Sequence, residues 1–585
     1  MKPLLSAVLI VRDEEANLAR CLDSLARQAD EIVIVDTGSR DGTVGVARRF
    51  TDRVFEYPWR QDFSAARNYG LDRANGDWIL SLDADESLEA GTENWTALLR
   101  RDPGRFEAYL LPLHYYHETT AGYQVHHVLR LFKNSPEYRF QGSIHEQVRI
   151  RDPLKVGVSD RPVIKHHFIP ERERRRKRGR NLSLLQQKLR SDPQNPFLQY
   201  YLGLEWLGLG RAARALPLLD YARQTLGDDQ LLFRLPAVHY CLNALRTLGR
   251  LDEALAVCDA ELGRYPDYAD LWFDGGILLE MSKTYQAAIA RFTKALECGA
   301  PPPLHFHTEG SAGFMAFYHI GHCHDQMGRR GEAGQWYRRA LEDRPEVVFP
   351  IVPLFLGVLA EAGAPACHAA FEASGDLADG QRGPVLAELF FEAGYADLAA
   401  QCLTRPAVRA KIATEQCLRW LVYSGRPRAA LAELDGIIQS GAMLSVSSRV
   451  DQISALLLTG NGTEARHWAL RLWQDPSARP QAIALLNLLH WIEKGRIGCH
   501  PEPPAVAPVL ATLLALIDNC LRTRFAPVTV QPTPYEELLA HIWGLLVRLT
   551  PVGAEALAAY FREKAVSWMK IYQARLGCAI MTDSP

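Results

Sequence analysis

The 585-residue sequence contains no Cys-x-x-Cys pair, no Gly-x-Gly-x-x-Gly fingerprint, no Walker motif and no apolar run of membrane-spanning length. Each absence excludes something. Without paired spacings, the eleven cysteines, among them Cys241, Cys258 and Cys402 in apolar helical settings, read as reduced, buried thiols of a cytoplasmic protein rather than as a disulfide framework. Without the glycine fingerprints, a dinucleotide cradle or a phosphoryl-transfer loop is disfavoured. The first apolar stretch, residues 4–11, is cut off by Arg12, Asp13, Glu14 and Glu15, too early for a signal peptide, and no transmembrane segment is expected. A formal net charge of −2 offers nothing to nucleic acid.

What is present centres on residues 78–86, Trp-Ile-Leu-Ser-Leu-Asp-Ala-Asp-Glu. The apolar part reads as a parallel-sheet strand covered on both faces. It ends in Asp83, Asp85 and Glu86, where open α/β sheets bind their ligands. In extended geometry Asp83 and Asp85 can point the same way, giving two hard oxygen ligands for one divalent cation. The same triplet also reads as an acidic turn that starts a helix, with Glu86 and Ser87 as caps. Around it, strands over 4–11, 31–35 and 53–57 alternate with helices over 14–27, 41–50 and 64–74. That alternation predicts a doubly wound parallel sheet with right-handed crossovers. Asp36 then also stands at a strand's carboxyl end, followed by the turn 36–43. This turn reads either as a helix N-terminus open to a polar or anionic ligand or as an ordinary glycine turn with a capping Asp41.

Taken together, Arg12-Asp13-Glu14-Glu15, Asp36-Thr37-Gly38-Ser39 with Asp41-Gly42-Thr43, residues 62–68, Asp83-Ala84-Asp85-Glu86, Arg130-Leu131-Phe132, residues 139–146 and Ile164-Lys165-His166 resemble the inverting glycosyltransferases of family 2. The resemblance covers about the first 170 residues. It implies a GT-A fold and a nucleotide-sugar donor. Asp36 is then expected on the uracil or ribose, Asp83 on the ribose, Arg67, Arg12 and Glu14 in the donor site, and Asp83, Asp85 and His166 on Mn²⁺ or Mg²⁺, with His167 able to exchange for His166. His145-Glu146 stands where the family carries Glu-Asp at its base motif, so Glu146 is the candidate base, with Asp152 or Glu118 next in line. On their own, Glu146 reads equally as a surface residue of a strand and His145 as a hydrogen-bonded core imidazole. The chemistry makes its own demands. A departing nucleoside diphosphate needs cations such as a divalent metal and Arg67, and inversion needs a carboxylate on the opposite face of the sugar to take the acceptor's proton.

The rest of the chain reads as all-α. Residues 171–194 are expected as a basic helical linker whose charge run, 171–180, faces solvent. Beyond it a glycine precedes an alanine by five at Gly210/Ala215, Gly249/Ala254, Gly328/Ala333, Gly394/Ala399, Gly425/Ala430 and Gly460/Ala465, with Lys283 replacing the glycine before Ala288. A turn glycine followed by a small residue where two helices cross is the mark of stacked hairpins. These resemble tetratricopeptide repeats, expected over 195–346, with further hairpins over 347–500 and capping helices over 501–585. The repeats are unevenly spaced, so insertions lie between them, and 300–313 is one, rich in Pro and His. His305, His307, His319, His322 and His324 show no regular zinc spacing. A superhelix of this length suits an extended peptide. Family 2 transferases fused to such repeats and acting on bacteriocin-like peptides or flagellins are the nearest resemblance. The expected reaction is therefore transfer of a hexose, uridine diphosphate-linked by resemblance, to a Ser, Thr or Cys side chain of a peptide or protein held by the repeats. Extension of a surface or lipid-linked saccharide and a non-catalytic scaffold are the alternatives, and homo-oligomerisation is left open.

Overall fold

The structure, a computed structural model, describes residues 3–549 except 27, 90–98, 100–104, 117–122, 151, 168–170, 303, 440–443, 499–502 and 522–533. The chain divides into two compact units, Met1–Arg344 and Pro345–Pro585.

The first unit opens on β1 (Leu5–Val11), α1 (Glu15–Leu25), β2 (Glu31–Asp36), α2 (Thr43–Ala47), β3 (Val54–Glu56), α3 (Phe63–Leu71) and β4 (Trp78–Leu82). Strands β3, β2, β1 and β4 lie side by side in parallel, as the alternation predicts. Alternate residues of β1 feed two cores. Leu5, Ala7, Leu9 and Val11 pack with Leu18 and Leu22 of α1, while Val8 packs with Leu71 of α3. The remainder of the sheet departs from the expected parallel order. It is built from β5 (Glu86–Leu88), β6 (Ala108–Tyr116), β7 (Tyr123–Lys133), β10 (Val156–Val158) and β11 (Ile164–His166), and β7 runs antiparallel to both β4 and β6. A separate ribbon joins β8 (Phe140–Gln141) to β9 (Gln147–Val148). The sheet is therefore mixed: β6 and β7 are antiparallel neighbours, and β7 lies antiparallel to β4 on its other side.

The expected basic helical segment is α4 (Glu171–Ser191), and against the expectation that its charge run faces solvent, Lys177 turns inward, as described below. Four hairpins follow: α5 (Pro196–Gly208) with α6 (Ala212–Thr225), α7 (Leu231–Thr247) with α8 (Leu251–Arg264), α9 (Ala269–Met281) with α10 (Tyr285–Cys298), and α11 (Phe314–Gln326) with α12 (Arg330–Asp343). Their turns place Gly210, Gly249 and Gly328 at φ 71°, 72° and 78°. Ala215, Ala254, Ala288 and Ala333 are buried at the crossings. Lys283 takes the same left-handed geometry at φ 59°. Because that conformation costs a side-chain-bearing residue about 1–2 kcal/mol, part of which glycine gives back as entropy, Lys283→Gly is expected to raise stability by about 0.5–1 kcal/mol. Urea unfolding of the full chain reads this, and an unchanged or lower midpoint would contradict it.

The Pro- and His-rich insertion has a definite role. Its His307–Thr308 forms β12, which pairs antiparallel with Val125 and Gln124 of β7, so the insertion contributes a strand to the mixed sheet. The insertion is fixed at its other side by Asp270, which accepts hydrogen bonds from the Thr308 backbone N–H (2.6 Å) and the Ser311 hydroxyl (3.1 Å).

In the second unit the hairpin pattern continues over Arg382–Glu392 with Ala396–Cys402, Thr414–Tyr423 with Pro427–Gln439, and Val446–Leu458 with Gly462–Trp473. Gly394, Gly425 and Gly460 again have positive φ and Ala399, Ala430 and Ala465 are fully buried. One helix, Ile351–Ala373, does reach spanning length by composition, contrary to the reading of the sequence; Gly363, at φ 73°, breaks it in two. Helices Pro503–Leu521 and Pro534–Leu549 follow within the expected capping region, whose residues 550–585 lie outside the described residues.

Candidate active site

The carboxyl ends of β1 and β2 carry two loops that bind each other. Asp13 donates its N–H to the Ser39 hydroxyl (3.0 Å) and accepts from the Arg40 N–H (2.8 Å), and the Glu14 N–H donates to the Thr43 hydroxyl (2.8 Å). Asp36 is buried, its carboxylate accepting from the backbone N–H groups of Gly38 and Ser39 at 3.1 Å. Asp41 accepts from the Thr43 N–H at 3.0 Å in the turn before the short helix, whose N-cap is Gly42 rather than the expected Asp41.

At the end of β4 the acidic triplet does not stay extended. The Glu86 N–H donates to the Asp83 carbonyl at 3.0 Å, closing a turn that sends the two aspartates to different partners. Asp83 turns toward two arginines. One oxygen accepts from Arg67 (2.5 Å) and the other from Arg130 (2.8 Å), and Arg130 also reaches Glu86 (2.7 Å). Burial alone would raise the Asp83 carboxyl; the Arg67 and Arg130 guanidiniums outweigh it and hold it well below the usual carboxylate range. Burial pushes the Glu86 carboxyl up, with Arg130 offsetting only part of the effect. Arg67, from α3, continues the chain of charges to Glu146, the candidate base. Both side chains are more than nine-tenths buried. Asp62 caps that helix by accepting from the Ala65 N–H (2.9 Å), which sets the direction of Arg67.

His145 precedes Glu146 with φ at 49° and stacks flat on Tyr201 of α5, ring centroids 3.8 Å apart and planes within 2°. Burial, with the nearby Arg180 charge, pushes its pKa down to about 4, so the imidazole is neutral near pH 7. Of the reserve bases, Asp152 accepts from the Leu154 N–H in a surface turn (3.0 Å), and Glu118 lies outside the described residues.

Asp85 turns the other way. Its Oδ2 lies 3.1 Å from the Lys177 ammonium of α4 and 3.9 Å from His166 Nε2, and Lys177 also meets Glu14 at 2.7 Å. His167 is held by the Ser87 hydroxyl, 2.6 Å from its Nε2. Asp83, Asp85 and His166 therefore do not converge as a ligand set. Both oxygens of Asp83 are bound by arginines, and the position a cation would take on Asp85 holds an ammonium. Among the described residues no group of three His, Cys, Asp or Glu side chains is arranged to hold a metal ion, the His305–His324 stretch included. As arranged, these residues do not fit Mn²⁺ or Mg²⁺. In that stretch His319 and His322 instead pair with Glu280.

Two members of the site escape a motif reading, Lys177 as the single lysine of a run of arginines and Tyr201 on the first repeat helix, while Arg130 belongs to a motif of the resemblance but is given no role there. The repeats touch the mixed sheet elsewhere too. The Tyr240 hydroxyl of α7 donates to Gln124 of β7 (3.0 Å), and His239 lies 3.3 Å from the same side chain.

Residues 6–101 match the family described as glycosyl transferase family 2. The chain thus carries a family 2 glycosyltransferase domain at its N-terminus, joined to tetratricopeptide-type hairpins. Among individual proteins, it is 39% identical over 210 residues to a TPR repeat-containing protein of Synechococcus elongatus, covering 34% of this chain and 51% of that one. It is 27% identical over 288 residues to the SPbeta prophage-derived glycosyltransferase SunS of Bacillus subtilis, covering 47% and 67%. The lipopolysaccharide core biosynthesis glycosyltransferase LpsC of Rhizobium meliloti is 40% identical over 90 residues, 14% of this chain and 33% of LpsC. The chain spans about half the length of the first of these relatives. Among solved structures, the thermophilic TPR protein TTC0263 of Thermus thermophilus aligns over 32% of this chain and all of its own, at 22% identity and a TM-score of 0.24. The repeat assignment rests on the turn and crossing residues described above.

Proposed function

We propose that this protein is an inverting hexosyltransferase that moves a sugar from a nucleoside-diphosphate donor to a Ser, Thr or Cys side chain of a peptide or protein. The observation that carries this reading is the meeting of Asp83 and Asp85, just beyond the carboxyl end of β4, with the cations Arg67, Arg130 and Lys177. Carboxylates there suit the hydroxyls of a ribose, and cations suit the charge that builds on a departing diphosphate. In the step itself the acceptor's oxygen or sulfur attacks the anomeric carbon while Glu146 takes its proton, and the electron pair of the breaking C–O bond leaves with the nucleoside diphosphate. Arg67 and the stacked His145 hold Glu146 in position from two sides. The acceptor class is supported by the repeats, because Tyr201 contacts the loop that carries Glu146, so a chain bound along α5 reaches the base directly.

A second reading, extension of a saccharide, is favoured by the similarity to LpsC. The full chain should be incubated with a panel of uridine- and guanosine-diphosphate sugars, together with Cys-, Ser- and Thr-containing peptides and simple saccharide acceptors. The expected result is peptide gaining the mass of one hexose, with inverted anomeric configuration. Transfer to saccharide alone would favour the second reading, and an absence of any donor binding or turnover would leave only a scaffold.

A further inference from the structure

Helix α4 lies outside the segment matched by the family, yet it enters the site. Its Lys177 side chain, about four-fifths buried, places its ammonium 2.7 Å from Glu14 and 3.1 Å from Asp85. An ammonium has three N–H donors. Two are taken by these carboxylates and the third faces Glu173 at 3.5 Å, too long for a good hydrogen bond and open to a stronger acceptor. One turn further on, Arg180 lies over the Phe63 ring at 5.0 Å and bonds the Asn181 side chain. Arg180 is itself exposed, and desolvation with the like charges of Arg176 and Arg12 lowers it from its ordinary value against the opposing charges of Glu205 and Glu14. Arg176, in turn, is only loosely attached to Asp13, at 3.8 Å.

We propose that α4 supplies the site with its resident cation: Lys177, backed by Arg180, meets the donor's diphosphate in the place where a divalent ion would otherwise bridge it to Asp85. This rests on the donor-site reading above. Carboxylates at 2.7 and 3.1 Å on either side fix the ammonium without saturating it, and an incoming diphosphate supplies the third acceptor for Lys177 and a further counter-charge for Arg180. The disagreement between the expected metal ligands and their arrangement is thereby accounted for. Asp85 orients a covalently tethered cation, which a chelator cannot remove.

The test is calorimetric titration of the full chain with uridine, guanosine, adenosine and cytidine diphosphates, first in EDTA and then in Mn²⁺. It is run on the wild type, Lys177→Met, Lys177→Arg and Arg180→Gln. The wild type should bind at least one of the four with the same affinity in both conditions. Loss of a charge-assisted hydrogen bond should weaken that binding roughly 10–100-fold in Lys177→Met, whereas Lys177→Arg, which keeps the charge, should stay within about tenfold of wild type. Binding that EDTA abolishes and Mn²⁺ restores would overturn the proposal, as would Lys177→Met binding like wild type. Should circular dichroism show Lys177→Met unfolded, Arg180→Gln decides: a loss of roughly fivefold or more supports the proposal and unchanged affinity overturns it. Nucleotide binding that ignores both residues would remove this inference alone. Failure of the wild type to bind any of the four would remove the donor-site reading and this inference with it.

Discussion

Glu146→Gln should lower turnover by roughly 10²–10⁴-fold while leaving donor affinity within a few-fold of wild type. The amide keeps the shape of the side chain and can still accept from Arg67, which retains Asp83 as its second partner, so the donor site should survive. What disappears is the basic oxygen that receives the acceptor's proton. Single-turnover transfer, together with donor titration, separates the two quantities. Near-normal turnover would move the base to another carboxylate, with Asp152 the first to try.

Arg67→Met should be worse for folding and no better for catalysis. The guanidinium is more than nine-tenths buried and stands between Asp83 and Glu146. Removing it leaves Glu146, itself about 9% exposed, with a buried charge that has lost its direct partner and keeps only the more distant Arg130. Breaking a buried pair from one side typically costs about 3–5 kcal/mol, more than an isosteric replacement of both partners would. Thermal or urea unfolding of the full chain should show the first unit losing stability on that scale, with turnover falling at least as far as in Glu146→Gln. A stability loss under about 1 kcal/mol would mean that water reaches the site and that the charges are not coupled as their distances indicate. Asp83 is the milder target, because its side chain is about one-third exposed.

How much of this was legible in the sequence varied with the range of the interaction. Strands β1, β2 and β4 and the hairpin turns could be read because they depend on local apolar period and local turn chemistry. Lys283 shows how far that goes: the repeat spacing identified it as a turn residue although its type argued otherwise, and its φ of 59° is that of the glycines at equivalent places. The antiparallel half of the sheet was not legible, since strand partners are chosen by tertiary contacts rather than by period. Asp83 and Asp85 were located but misdirected. Period-two geometry predicts a shared direction, and the turn closed by Glu86 separates them. Lys177 was hidden for a different reason. In a run of eight charged residues nothing local says which one turns inward, and only the approach of α4 to Glu14 and Asp85 decides it.

Because β12 lies in the insertion between the third and fourth hairpins, the sheet of the first unit is completed late in the life of the chain. During synthesis, at about 5–20 residues per second, His307 and Thr308 leave the ribosome on the order of ten seconds after β11. Throughout that interval Gln124 and Val125 of β7 present an unpaired edge to whatever nascent chain is nearby. A chain that ends before residue 307 therefore carries the site's carboxylates but leaves Gln124 and Val125 of β7 without the strand that covers them.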